Sequence, residues 1–131
     1  MYTSEITRYP QSDRHKTLND LVNALLQVNP DSPLTFRYFG TPSLTFVSYR
    51  GYYQDLAVTS GGTDVVTVNE FIFALHKAVG KTYIGWKGGD FIADFDSPIW
   101  VVYDASNVGE FVTEVTVESD GSIIIESESD D

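Results

Sequence analysis

Thr67-Val-Asn-Glu-Phe-Ile-Phe-Ala-Leu-His-Lys-Ala-Val-Gly80 is the stretch on which the reading of the fold turns. Thr67 and Glu70 have the spacing of a capping box, in which each side chain takes up the other residue's backbone N–H. Behind them Val68, Phe71, Ile72, Leu75 and Val79 recur at intervals of three and four, the period that lines one face of a helix, and Gly80 supplies a stop. This predicts a helix over residues 68–79. Working outward, a second helix is predicted over 18–28: Thr17 is its cap, Leu18, Leu21, Val22, Leu25 and Leu26 form its stripe, and Asn29-Pro30 ends it.

Elsewhere the apolar period drops to two, the period of a half-buried strand. Leu34-Thr-Phe-Arg-Tyr-Phe39 and Leu44-Thr-Phe-Val-Ser-Tyr49 alternate on either side of Gly40-Thr-Pro-Ser43, and read as an antiparallel pair. A short strand at Asp55–Thr59 precedes a loop at Ser60–Asp64. Beyond the central helix, strands are expected at Lys81–Trp86, Phe91–Phe95, Ile99–Tyr103, Phe111–Val117 and Ser122–Glu126, with Asp120-Gly121 as a two-residue hairpin turn joining the last two. Two helices among six to eight mostly hairpin-linked strands define an α+β domain with a mostly antiparallel sheet. The 131 residues leave room for one domain, 1–131. Its polar first 16 residues read as a flexible arm, and 127–131 as an acidic tail.

The chain has no cysteine, which removes thiol nucleophiles, Cys-ligated metals and disulfides together. Its 19 acids against 8 Lys and Arg give a net charge of −11, which disfavours nonspecific binding to a nucleic-acid polymer. The charges are unevenly placed. All eight bases lie in residues 1–87 beside seven acids, whereas the last 44 residues hold twelve acids and no base. A small anionic ligand must therefore find its cations in the first two-thirds of the chain. The N-terminus lacks the basic start and apolar core of a secretion signal, and no apolar run reaches membrane-spanning length, so a cytoplasmic protein is expected.

Three places combine residue types suited to a ligand. On the central helix Phe73 projects about 140° from the middle of the apolar stripe, with Asn69, His76 and Lys77 on the same outer side. A tolerated surface ring, an oligomer contact and a ligand platform are all compatible with that. In Ser48-Tyr-Arg-Gly-Tyr-Tyr53, Arg50 sits among Tyr49, Tyr52 and Tyr53; a guanidinium suits bidentate phosphate recognition and rings can stack on a base. The alternative is an Arg packed along its neighbours at a sheet edge. In Gly85-Trp-Lys-Gly-Gly-Asp-Phe91, Trp86, Lys87 and Asp90 ride on a glycine-rich turn whose backbone amides could cradle an anion, or which is simply a long hairpin loop. Asp90, Asp94, Asp96 and Asp104 match no calcium-loop spacing, so no metal site is expected. With His15 in the arm and His76 the other imidazole, no catalytic triad is in view and no catalytic residue is assigned.

Taken in order, Ser48-Tyr-Arg-Gly-Tyr-Tyr-Gln-Asp-Leu-Ala57, Gly80-Lys-Thr-Tyr-Ile-Gly-Trp-Lys-Gly-Gly-Asp-Phe91 and Ser97-Pro-Ile-Trp-Val101 resemble a phage-encoded family, the type one Thoeris anti-defence sponges. The likeness covers about residues 34–103 and departs at Val102-Tyr-Asp104 and in the acidic tail. It implies a non-enzymatic protein of the host cytoplasm, without a cofactor, that sequesters the cyclic ADP-ribose isomer made by TIR enzymes. Cyclic oligonucleotides of CBASS systems are a further ligand class for the family. It also implies a homo-oligomer assembled through helix 68–79, a hexamer among the candidate assemblies, with pockets at subunit contacts. Arg50, Trp86, Lys87 and Asp90 belong to the matched motifs, whereas Asn69 and Phe73 follow from helix geometry, and Tyr49 and Tyr52 from the company they give Arg50. An alternative from a different class is an acidic DNA mimic whose C-terminal third blocks a host nuclease or restriction enzyme.

Overall fold

The computed structural model describes residues 16–49, 55–83, 90–103 and 109–129. Lys16, the last residue of the predicted arm, is buried and its carbonyl accepts from the Ile99 N–H; Arg50, Tyr52, Trp86 and Lys87, the arm up to His15 and most of the glycine-rich turn lie outside the described residues. Within them the chain is α+β, with two helices and a mixed, mostly antiparallel seven-stranded sheet. In chain order the elements are α1 (Leu18–Leu25), β1 (Pro33–Phe36), β2 (Pro42–Ser48), β3 (Leu56–Ser60), β4 (Val66–Thr67), α2 (Val68–Ala78), β5 (Thr82–Tyr83), β6 (Phe91–Ile92), β7 (Ile99–Val102), β8 (Gly109–Val117) and β9 (Ile123–Glu128).

Both helices begin with the capping boxes their sequences encode. Thr17 Oγ1 accepts from the Asp20 N–H at 3.2 Å while Asp20 Oδ2 accepts from the Thr17 N–H at 2.9 Å, and Thr67 and Glu70 repeat the exchange at 3.2 and 2.9 Å. The next N–H groups are taken by backbone carbonyls: Leu18 and Asn19 donate to Ser97 and Phe95, Val68 and Asn69 to Ser32 and Pro30. Helix α1 stops three residues earlier than predicted. Gln27 and Val28 donate to Ala24 and Leu25, three residues back, so the last turn tightens ahead of Asn29-Pro30, where a residue preceding proline resists the helical conformation. Helix α2 ends at Ala78, with Val79 as its extended cap.

The sheet runs β2-β3-β7-β8-β9-β1-β4, with β3/β7 and β1/β9 parallel and the other neighbours antiparallel. The predicted β1–β2 pair does not form. Phe36 and Gly40 close on each other instead, the Phe36 N–H donating to the Gly40 carbonyl at 2.8 Å with Gly40 at φ +81°. Leu34 then aligns with Ile123 and Phe36 with Ile125, because the Ile123-Ile-Ile125 run offers β1 two buried partners. Two local expectations also shift. The strand expected at Phe91–Phe95 ends at Ile92, where Asp94 and Ser97 fold residues 94–97 into a turn. The β8–β9 loop has three residues, since the Glu118 N–H donates to the Ser122 carbonyl and the Gly121 N–H to Glu118, with Gly121 at φ +91°.

Sheet order and chain connection together force curvature. In a flat sheet β2 and β1 would stand five strand spacings apart, about 24 Å. Yet Pro42 follows two residues after Gly40, which is already bridged to the end of β1, a reach of roughly 7 Å. The sheet therefore curls until its β2 edge returns toward β1 and β4, and α2 packs on all three. The main core fills the concave side, with Leu18, Leu21 and Leu25 of α1 and Phe71 and Leu75 of α2 against Phe36, Val58, Val101 and Ile125. A second buried cluster of Tyr49, Ala57, Trp100, Val102 and Phe111 occupies the opposite face. No helix of the described residues is long and apolar enough to cross a membrane.

Candidate functional site

Where the curled sheet brings its β2 edge near α2, a groove of about 750 Å³ is left between them. One wall is α2, presenting Glu70, Phe73, Ala74, Lys77 and Ala78; another is Leu44-Thr-Phe46 of β2; Asp64-Val-Val66, Lys81 and Tyr83 complete it. Phe73 is 65% exposed and Val65 75%, large values for apolar side chains. The Phe73 position follows from its place off the apolar stripe, and the structure bears that geometry out.

The charges in the groove are distinctive within so acidic a chain. Among the described cations Lys16 is buried and Arg37 is held by Glu126, with bonds of 3.0 and 2.6 Å, and by Glu118 at 3.5 Å. Lys77 and Lys81 are exposed, make no ion pair among the described residues, and both line the groove. Lys77 Nζ lies 5.2 Å from the centre of the Phe73 ring, a cation–π distance. Of the two acids present, Glu70 is engaged through Oε1 with the Thr67 N–H. The Tyr83 hydroxyl donates to the Ala78 carbonyl at 3.0 Å, and burial pushes its pKa up, so it stays a neutral donor. Among the described residues, with the leading N–H groups of both helices already bonded, attraction of an anion to the groove falls to the two lysines.

The structure separates the residues that the sequence grouped. Phe73 lines the groove, with Lys77 beside it. Asn69 is exposed on the first turn of α2 and Asp90 is exposed ahead of β6, and neither lines the groove. Tyr49 belongs elsewhere: it is 3% exposed and stacks on Trp100 with centroids 3.9 Å apart and planes 7° from parallel. Trp100 in turn donates Nε1–H to Asp55 Oδ2 at 3.0 Å and meets the Phe111 ring edge-on. Sequence reasoning missed Leu44, Val65, Lys81 and Tyr83 as groove residues. Phe73, Lys77 and Lys81 do stand four residues apart, a signal visible in the sequence, but the β2 wall has none. A scan of protein-family models and searches of curated proteins and solved structures find no match to this chain.

Proposed function

We propose that the protein is a non-catalytic binding protein that captures a small anionic nucleotide in the α2 groove. The observation that carries this reading is the coincidence, in a chain of net charge −11, of an exposed aromatic ring with two unpaired lysines along one groove. Its volume falls in the range of small-molecule sites, about 300–1,000 Å³. A ring face suits a base and ammonium groups suit phosphate oxygens. Sequestration needs burial and charge neutralisation, with no general acid or base. The ligand to which the sequence resemblance points is the cyclic ADP-ribose isomer of TIR enzymes, or a cyclic oligonucleotide, held in the host cytoplasm by a homo-oligomer assembled through helix 68–79.

The test is direct. Protein mixed with a lysate containing an active TIR enzyme is repurified and heated, and the released material is analysed by mass spectrometry. An intact nucleotide is expected from the wild type and little from a Lys77→Ala, Lys81→Ala double variant, since each lost charged hydrogen bond costs about 1.5–3 kcal/mol. Release of a degraded product, or of nothing, overturns the proposal. Calorimetry on Arg50→Ala asks separately whether the matched motif around Arg50 contributes to the same ligand, in which case affinity falls about tenfold or more.

A further inference from the structure

One wall of the groove is built in a way that packing does not explain. Leu44 has φ +66° and is the non-glycine residue with positive φ among the described residues. Leucine is a poor occupant of that region because its Cβ crowds the backbone there. The conformation comes from an irregularity in the edge strand: Pro42 aligns with Ser60 and Phe46 with Val58, so four steps along β2 are set against two along β3. Such bulges re-aim side chains.

Both flanks of the bulge are pinned. The Ser43 and Thr59 hydroxyls bond each other, the proton left over reaches a carbonyl, that of Thr59 at 3.1 Å from Ser43 or that of Thr45 at 3.4 Å from Thr59, and Ser43 Oγ accepts from the Thr45 N–H at 3.3 Å. On the other side the Gly61 and Gly62 N–H groups both donate to the Thr41 carbonyl, and a Cβ at Gly62 would lie 2.2 Å from the Pro42 carbonyl oxygen. Hydrogen bonds through the Ser43 and Thr59 hydroxyls and a close glycine approach thus hold in place a backbone conformation that leucine resists. The main core does not repay this, since Leu44 is outside the core cluster and is 36% exposed. What the bulge achieves is to set Leu44 into the groove, on a different wall from Phe73.

We propose that the β2 bulge exists to present Leu44 as an apolar jaw, which holds the planar part of an aromatic anion against the Phe73 wall and leaves its charged part to Lys77 and Lys81. This rests on the groove being the binding site, and adds which residue sets its fit. Backbone strain that persists beside a ligand surface, where neighbouring structure over-determines it, is a recurrent property of binding sites.

The proposal makes stability and binding move in opposite directions at one residue. Anilinonaphthalene sulfonate, a planar aromatic anion, serves as the probe, with its affinity measured by fluorescence titration beside thermal melting. Leu44→Gly relieves the strained φ, so its melting temperature should equal or exceed that of the wild type, while probe affinity falls by about fivefold through lost apolar contact. Leu44→Asn, which also tolerates positive φ, should show the same pattern. A Leu44→Gly protein that melts lower than the wild type, or binds the probe equally well, overturns the proposal. Phe73→Ser separates the two levels of the argument. If it abolishes probe binding while Leu44→Gly does not weaken it, the jaw is wrong and the groove stands; if neither variant changes affinity, the groove reading falls as well.

Discussion

Tyr49, Trp100 and Phe111 lie on the outer face of the sheet, as Phe73 lies on the outer face of α2, yet the three are at most 3% exposed and Phe73 is 65% exposed. The difference comes from how each element spaces its neighbours. On a sheet, rings on adjacent strands stand within contact distance: Trp100 aligns with Phe111 on β8 and with the small Ala57 on β3, which leaves room for Tyr49 to lie flat on the indole. On the exposed side of a helix, the neighbour of Phe73 one turn on is Lys77, which covers the ring with a cation and leaves it accessible. Tyr49, Trp100 and Phe111 thus pack on one another in a buried cluster.

The comparison breaks most visibly if the sheet cluster is not a packing unit. Trp100→Ala removes the centre of the stack and the Asp55 bond, and should cost about 3–5 kcal/mol in denaturant unfolding. A loss below about 1 kcal/mol would mean that the cluster is peripheral to stability. Gly109→Ala comes next: its Cβ would lie 2.3 Å from the Val101 carbonyl oxygen and 2.6 Å from Val102 Cγ1, contacts that real structures do not tolerate. About 1–3 kcal/mol of destabilisation is expected, with near-UV circular dichroism reporting a disturbed Tyr49–Trp100 stack.

A smaller effect is expected at the Arg37–Glu126 pair, which ties the end of β1 to β9. The Arg37 hydrogen bonds, and secondarily that of Thr116, hold the Glu126 carboxyl below its ordinary range. A carboxyl whose folded pKa is depressed stabilises the native state above its unfolded pKa of about 4.3, and that contribution is lost as pH falls through the folded value. Stability of Glu126→Gln should therefore fall less steeply than that of the wild type below pH ~4.3, measured as urea midpoints against pH. The smallest effect on folding belongs to the other side of the comparison. Phe73→Ser should change unfolding free energy by no more than about 0.5 kcal/mol, because most of the ring is already exposed. Light scattering on the same variant reads assembly: a wild type that is oligomeric and a monomeric Phe73→Ser would place the ring at the contact.

The amino-acid sequence by itself determined what is decided within about ten residues. The Thr17 cap, the Thr67–Glu70 capping box, the apolar stripe of α2, the outward direction of Phe73 and the β8–β9 hairpin follow from local hydrogen bonding and the 3.6- and 2-residue periods. Tertiary structure decided the rest. The alternation in Leu34–Phe39 is equally satisfied by β2 or by β9, and β9 prevails because its isoleucines complete the core. Whether Tyr49 met a ligand or Trp100 depended on a strand 51 positions away, and the groove exists because curvature carries the β2 edge to α2. Period and caps are properties of a segment, whereas pairing, burial and a cavity are properties of which distant surfaces meet, and no segment encodes its partner alone.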